Sequence, residues 1–72
     1  MMRIQDIKIG EIYRFKEHPH YSYAKAIEIL RPKHGKNTKS YSIVECEHTV
    51  YRNDKMGFIR YFRPADLIRE DM

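Results

Sequence analysis

The densest group of chemically active side chains is the stretch RPKHGKNTK, which runs from Arg31 to Lys39. Its four bases are Arg31, Lys33, Lys36 and Lys39, and it contains no acid. Lysine carries a point charge on a flexible stem, so such a loop can neutralise phosphates without reading bases. The competing interpretation is the solvated tip of a β-hairpin, because loops are polar by default.

The position of the charge supports a binding role for this loop. The chain has a net charge of +4. Residues 1–30 hold five bases and four acids, residues 41–72 hold five bases and six acids, and residues 31–40 hold four bases and no acid. The whole excess therefore lies in the loop, where it would attract either nucleic acid or an acidic protein surface.

Four side chains have the chemistry of zinc ligands: His18, His20, Cys46 and His48. Together they would make a Cys–His₃ tetrahedron, which zinc accepts. Their spacing matches no common ligand pattern, however, and a lone cysteine on a strand is more often a small buried apolar residue. We therefore predict no metal site and no cofactor.

Catalytic patterns are missing from the sequence. It has no Ser–His–Asp arrangement, no glycine-rich phosphate loop and no convergent pair of carboxylates. Glu45 and Glu47 are two residues apart on a predicted strand and share a face, where we expect a solvated edge rather than an acid–base pair. The sequence therefore predicts a binding protein and not an enzyme.

Alternating polar and apolar residues predict a chain of short strands. The predicted strands are EIYRFK (11–16), SYAKAIEILR (22–31), KSYSIVECEH (39–48), GFIRYF (57–62) and a short last strand in LIRE (67–70). The alanines of the second segment leave a helix over Tyr21–Leu30 as an alternative. Pro64 ends the fourth strand, and Ala65–Leu67 is predicted to form one helical turn.

Turn residues separate these segments. Gly10 precedes the first strand and Pro19 follows it. PKHGKN holds the Pro, Gly and Asn of a hairpin turn, and RNDKMG holds Asn and Gly. Because a small sheet cannot leave long edges exposed, we predict an all-β fold. It is a five-stranded barrel with one short helical turn before the last strand, in a single domain (1–72) ordered over about residues 7–69.

The segments GFIRYFRPADLI (57–68) and IKIGEIYRF (7–15) carry a family resemblance. An aromatic-ended fourth strand that runs into Pro64, Asp66 and Leu67, and a glycine before the first strand, resemble Src-homology-3-like small barrels of the Tudor-like and KOW-like kind. A short basic chain with one such barrel is also similar to many phage and mobile-element proteins. The resemblance implies a binding module. It departs from peptide-binding members, which carry tryptophan, because this chain has none.

The strand pattern also predicts which side chains are buried. The predicted core is Tyr13, Phe15, Ile27, Ile29, Val44, Ile59 and Leu67, with Phe58 or Phe62 according to register. We expect Tyr21, Tyr23, Tyr51 and Tyr61 to keep an edge in solvent. The first three are candidates for stacking on bases, as in barrels that bind single strands.

Two functions follow from these features. The first is contact with the nucleic-acid backbone through Arg31, Lys33, Lys36 and Lys39, extended by Arg52, Lys55, Arg60 and Arg63. The second is a protein-interaction or inhibitor module that docks a partner on exposed tyrosines and a sheet edge. A shared face of all these bases favours nucleic acid, whereas interruption by Glu45, Glu47 and Asp54 favours a protein partner.

Size and cysteine content set the expected location. A chain of 72 residues with one cysteine has no intramolecular disulfide and suits a reducing cytoplasm. No apolar stretch approaches the roughly 20 residues of a membrane span, and Met1 does not open a secretory signal. We predict a cytoplasmic monomer or weak homodimer that does not contact membranes.

Overall fold

The computed structural model describes residues 2–19, 22–33, 35–50 and 57–70. Its strands are β1 (Ile12–Phe15), β2 (Tyr23–Leu30), β3 (Ile43–Thr49), β4 (Phe58–Phe62) and β5 (Leu67–Arg69). Short 3-10 turns lie at Ile4–Asp6 and at Pro64–Asp66, directly before β5. The all-β prediction with one helical turn before the last strand is confirmed, and the helix considered over Tyr21–Leu30 is wrong. The turn at Ile4–Asp6 was not predicted.

The five strands form one antiparallel sheet in the order β4-β3-β2-β1-β5. Strands β2, β3 and β4 are hairpin neighbours, and β5 returns to pair with β1, where Leu67 lies opposite Phe15. Within the described residues no ladder joins β4 to β5, so these two strands are the edges of the sheet. Membership of the Src-homology-3-like class stays a prediction.

A glycine makes the entry into β1, as predicted. Gly10 has a φ of +92° in the turn closed by a hydrogen bond from the Glu11 amide to the Lys8 carbonyl. Glycine adopts this conformation without the steric cost that a side chain brings. The turn aims β1 into the sheet, where the buried Tyr13 hydroxyl accepts a hydrogen bond from the Lys8 amide at 2.9 Å.

An irregularity in β2 overturns part of the predicted core. The register with β3 shifts between Ala26 and Glu28, so Ile27 is an extra residue that has no partner in the β2–β3 ladder. Before this bulge Ala24 and Ala26 face the core, and Ile27 is left 40% exposed. The parity predicted for β2 therefore fails at Ile27 but holds at Ile29, which packs against the core, because one extra residue reverses the alternation.

The main core lies on one face of the sheet, called here the inner face. Its buried members are Ile7, Tyr13, Ala24, Ala26, Val44, Cys46, Phe62 and Leu67, with Phe15 and Ile29 packed against them. Burial of Tyr13, Val44, Leu67 and Phe62 agrees with the predictions. Ile59 and Phe58 do not belong to this core. Ile59 lies opposite Glu47 on the other, outer face, and Phe58 lies at the open end of the inner face.

Candidate binding surfaces

Asn37 fixes the basic loop between β2 and β3. Its buried amide nitrogen donates to the carbonyl oxygens of Leu30, Arg31 and Tyr41 at 2.9, 3.1 and 2.9 Å. Its side-chain oxygen accepts the Lys39 amide at 2.8 Å. The loop is therefore not a free hairpin tip, because the Asn37 side chain ties both of its sides together.

One of the four loop bases is already neutralised. The Nζ of Lys36 lies 3.1 Å from Oε2 of Glu45, and the Tyr61 hydroxyl donates to the same oxygen at 3.4 Å. These contacts raise the pKa of Lys36, first through the hydrogen bond and then through the charge of Glu45. Glu45 itself is only 6% exposed, so the prediction that it lies on a solvated edge is wrong.

The remaining loop bases point to solvent. Arg31, Lys33 and Lys39 are exposed, and Lys33 has a φ of 66°, which is uncommon for a residue other than glycine. Pro32 and Lys33 lie in a turn. The phosphate contacts predicted for this loop would therefore fall to three exposed bases.

Among the described bases outside the loop, Arg60 and Arg63 do not form one patch with it. Arg60 has inner-face parity on β4, whereas Tyr61, Glu45 and Glu47 have outer-face parity. Arg63 forms an ion pair with Asp66 at 3.5 Å. Arg14 covers the ring of Tyr23 at 4.1 Å from its centroid, so one face of the ring offered for base stacking is occupied. Five of the residues assigned to these roles lie outside the described residues: Tyr21, Tyr51, Arg52, Asp54 and Lys55.

The four residues considered for zinc do not form a described site. Cys46 is buried in the core, and burial raises the pKa of its thiol to about 12. Its sulfur lies 3.8 Å from the Val44 carbonyl oxygen. His20 is outside the described residues, and in the described ranges no three His, Cys, Asp or Glu side chains are grouped to hold a metal ion.

His48 instead belongs to an aromatic cluster at the open end of the inner face. Its ring lies 6.0 Å from that of Phe15 and 5.5 Å from that of Phe62, both edge-on, and Phe15 also approaches His18 at 5.9 Å. Arg60 Nη1 lies 3.3 Å from His48 Nδ1. Because guanidinium can only donate, Nδ1 accepts and the ring is neutral with its proton on Nε2.

Stability is expected to fall as pH drops below the ordinary histidine range. Burial, then the charges of Arg60 and His18, lower the pKa of His48, so the unfolded chain binds its proton more readily than the folded one. The stabilising contribution is complete above about pH 6.5 and is lost as pH falls towards the lowered folded value. Thermal melts from pH 7.5 to 5.5 measure this loss, and His48→Phe should flatten the pH dependence. Parallel curves for both proteins would contradict it.

The ladder alternation shows which main-chain groups β4 presents outwards. The Ala26 carbonyl accepts from the Gly10 amide at 2.8 Å and the Ala26 amide donates to Glu11 at 3.0 Å, so the Ala26 peptide groups face β1. In an antiparallel sheet the main-chain N–H and C=O groups of successive residues point alternately to one neighbouring strand and to the other. The main-chain groups of Glu47 therefore face β2, and those of Cys46 face β4. Arg60, opposite Cys46, therefore bonds to β3, and the amides and carbonyls of Ile59 and Tyr61 point away from the sheet.

Exposed apolar side chains accompany these free main-chain groups. Phe58 is 75% exposed, Ile59 53% and Tyr61 47%, and Arg60 between them is exposed as well. Only Phe62, the last residue of β4, enters the core. Proteins usually protect an edge strand with charges, prolines or covering loops, and β4 has a single charge. The alternation of GFIRYF predicts a strand, but its edge position depends on the sheet order.

A concavity lies at the other edge of the sheet, formed by described residues of β1, β5 and the segments beside them. It has a volume of about 530 Å³ and is lined by Asp6, Lys8, Glu11, Ile12, Tyr13, Arg69 and Glu70. Its acids and bases are mixed, and Asp6 is held by the Arg3 amide at 2.8 Å. The site has neither the charge of the basic loop nor the apolar surface of β4.

Comparison with known proteins gives no relative: no family model, no curated protein and no solved structure matches the chain. Across the described residues no helix has the length and apolar character needed to cross a membrane.

Proposed function

We propose that this protein is a non-catalytic interaction module that binds an extended segment of another protein as an added strand along β4. The observation that carries the proposal is the outer edge of β4, which combines outward-facing amides and carbonyls at Ile59 and Tyr61 with exposed apolar side chains. Strand addition of this kind draws affinity from main-chain hydrogen bonds and specificity from alternate side chains.

The distribution of charge supports a protein partner over nucleic acid. Glu45 and Glu47 lie on the outer face beside the loop, and Arg60 has the opposite parity. Lys36 is paired with Glu45 and Arg63 with Asp66. The described bases therefore do not form the continuous stripe that a nucleic-acid backbone follows.

A proline substitution can remove an outward amide without touching the β3–β4 ladder. Ile59→Pro deletes an N–H that points to solvent, and proline is tolerated at such edge positions. The matched change Arg60→Pro deletes an N–H that bonds to β3 and should unfold the edge. Nonapeptides that bind the parent protein can be selected from a random display library. We expect these peptides not to bind Ile59→Pro, although the thermal melt of this variant stays cooperative.

Hydrogen exchange gives a second readout of the same proposal. A bound strand should protect the Ile59 and Tyr61 amides, which are free in the unbound protein, and leave the Arg60 amide unchanged. Peptides that bind Ile59→Pro as tightly as the parent, or that protect residues of the basic loop instead, would refute strand addition at β4.

Nucleic-acid contact is the second candidate, because Asn37 holds three exposed bases in a fixed loop. Changing Arg31, Lys33 and Lys39 to glutamine spares Lys36 and its contact with Glu45. If all three bases touch phosphates, affinity for a 20-nucleotide single strand should fall. The slope of log K against log salt should flatten by roughly two to three units, at about 0.7–0.9 per phosphate.

A matched control for the loop change is Lys25→Gln, an exposed lysine on the outer face of β2. It should leave the salt slope unchanged. Absence of binding by the parent protein at low salt, or a triple variant with the parent slope, would remove the loop from nucleic-acid contact.

A further inference from the structure

We infer that the strand received by β4 is acidic, with a carboxylate beside Arg60; this rests on the proposed strand addition and names the chemistry of its partner. Arg60 lies in the middle of β4 and is exposed. Its guanidinium contacts the neutral His48 ring at 3.3 Å and lies 5.5 Å from the centroid of the Phe62 ring. These contacts orient the cation without neutralising it.

Several other bases of this protein already have a carboxylate. Arg3 pairs with Asp6, Lys36 with Glu45 and Arg63 with Asp66, at 3.9, 3.1 and 3.5 Å. The ion pairs seen among the described residues do not include Arg60. An edge strand with an exposed and oriented arginine at its centre offers an anion-binding position.

Strand geometry brings a partner side chain to this position. In an antiparallel addition, the residues opposite Ile59 and Tyr61 exchange main-chain hydrogen bonds with them, and their side chains lie on the outer face. The residue opposite Arg60 falls in a non-hydrogen-bonded pair, where facing side chains are closest. A glutamate or aspartate there can accept two hydrogen bonds from the planar guanidinium.

The same geometry assigns the neighbouring positions of the partner. Ile59 and Tyr61 extend from the outer face of β4 and are about half exposed. Apolar residues opposite them would bury this surface, so the partner should alternate apolar and acidic residues. The Tyr61 hydroxyl and Lys36 meet at Glu45 Oε2, which places the basic loop beside the same end of β4.

The charge of the edge argues against a second copy as the occupant. Residues 57–63 contain two arginines and no acid. Self-pairing would bring two such positive edges together, and like charges across a strand pair are destabilising. An acidic strand has the complementary charge, which raises both specificity and association rate.

Three capped peptides that differ in one residue test the inference. Each has nine residues of alternating valine and threonine between Ser–Gly ends, with glutamate, glutamine or lysine at the position meant to face Arg60. Isothermal titration should rank the affinities Glu over Gln over Lys, with about tenfold between the two charged peptides. Arg60→Glu should reverse the order, and the control Arg69→Glu, on the other edge strand, should preserve it.

The outcomes separate the inference from the proposed function. Equal affinities for the three peptides, lost in Ile59→Pro, would overturn the acidic preference and leave strand addition standing. Binding that survives in Ile59→Pro would overturn strand addition itself. A dimer in peptide-free sedimentation that Ile59→Pro abolishes would make a second copy the occupant. Binding of a 20-nucleotide strand that Arg60→Glu abolishes would assign the edge to nucleic acid. Either the dimer or the nucleic-acid result would overturn the inference that the partner is an acidic peptide.

Discussion

Replacing Asn37 with aspartate is expected to lower the free energy of unfolding by about 3 kcal/mol. Asparagine donates from Nδ2 to three carbonyl oxygens, of Leu30, Arg31 and Tyr41. The introduced carboxylate has the same shape but donates nothing, so a buried negative charge would face three carbonyl dipoles. In a domain this small the melting temperature should fall by roughly 15 °C.

The neighbouring substitution Thr38→Ala is the control, because Thr38 is an exposed member of the same loop. It should change the free energy of unfolding by no more than about 0.5 kcal/mol. Urea unfolding of both variants measures the difference. If Asn37→Asp and Thr38→Ala have the same free energy of unfolding, the loop is a solvated tip. Asn37 would then not hold Arg31, Lys33 and Lys39 in a fixed arrangement.

The strands could be predicted because their signals are local. Period-two alternation in IYRF and IVECEH, and the turn residues Gly10, Pro19 and Pro64, depend only on neighbouring residues. The 3-10 turn at Pro64–Asp66 follows from the proline at its start, which fixes φ and ends β4. Local chemistry was therefore enough for the all-β fold and the order of its elements along the chain.

The core was harder to predict because parity depends on pairing between strands. Ile27 is exposed since the shift in register against β3 inserts one residue, and nothing in AKAIEI marks that position. Phe62 is buried and Ile59 exposed because β4 pairs Phe62 with the buried Val44. Such register follows from contacts that are distant in sequence.

The binding surfaces were predicted only as a set of charges. The sequence locates four bases between Arg31 and Lys39, but pairing of Lys36 with Glu45 requires the loop to fold onto β3. The position of β4 at an edge depends on the order of the whole sheet. The segment GFIRYF did carry one local signal of a binding surface on β4, because it has three exposed apolar residues and no acid.

A methyl group at Gly57 is expected to lower the free energy of unfolding by about 2 kcal/mol. A Cβ built there would lie 2.8 Å from Glu47 Cγ and 3.0 Å from the His48 carbonyl oxygen, and closer still to Thr49 Cγ2. The Glu47 side chain can move, but the carbonyl belongs to β3 and threonine is stiff at χ1. The junction into β4 must therefore shift, and the melting temperature of Gly57→Ala should fall by roughly 10 °C.

Two matched variants decide whether steric contact is the cause. Gly35→Ala places the same methyl where nothing lies within 4 Å, so its melting temperature should stay near that of the parent. Thr49→Ser removes Cγ2 and keeps the hydroxyl, so adding it to Gly57→Ala should recover part of the loss, a coupling that a double-mutant cycle measures. Equal melting temperatures for the two alanine variants would show that β4 does not approach β3 at Gly57. The edge on which strand addition depends would then have a different register.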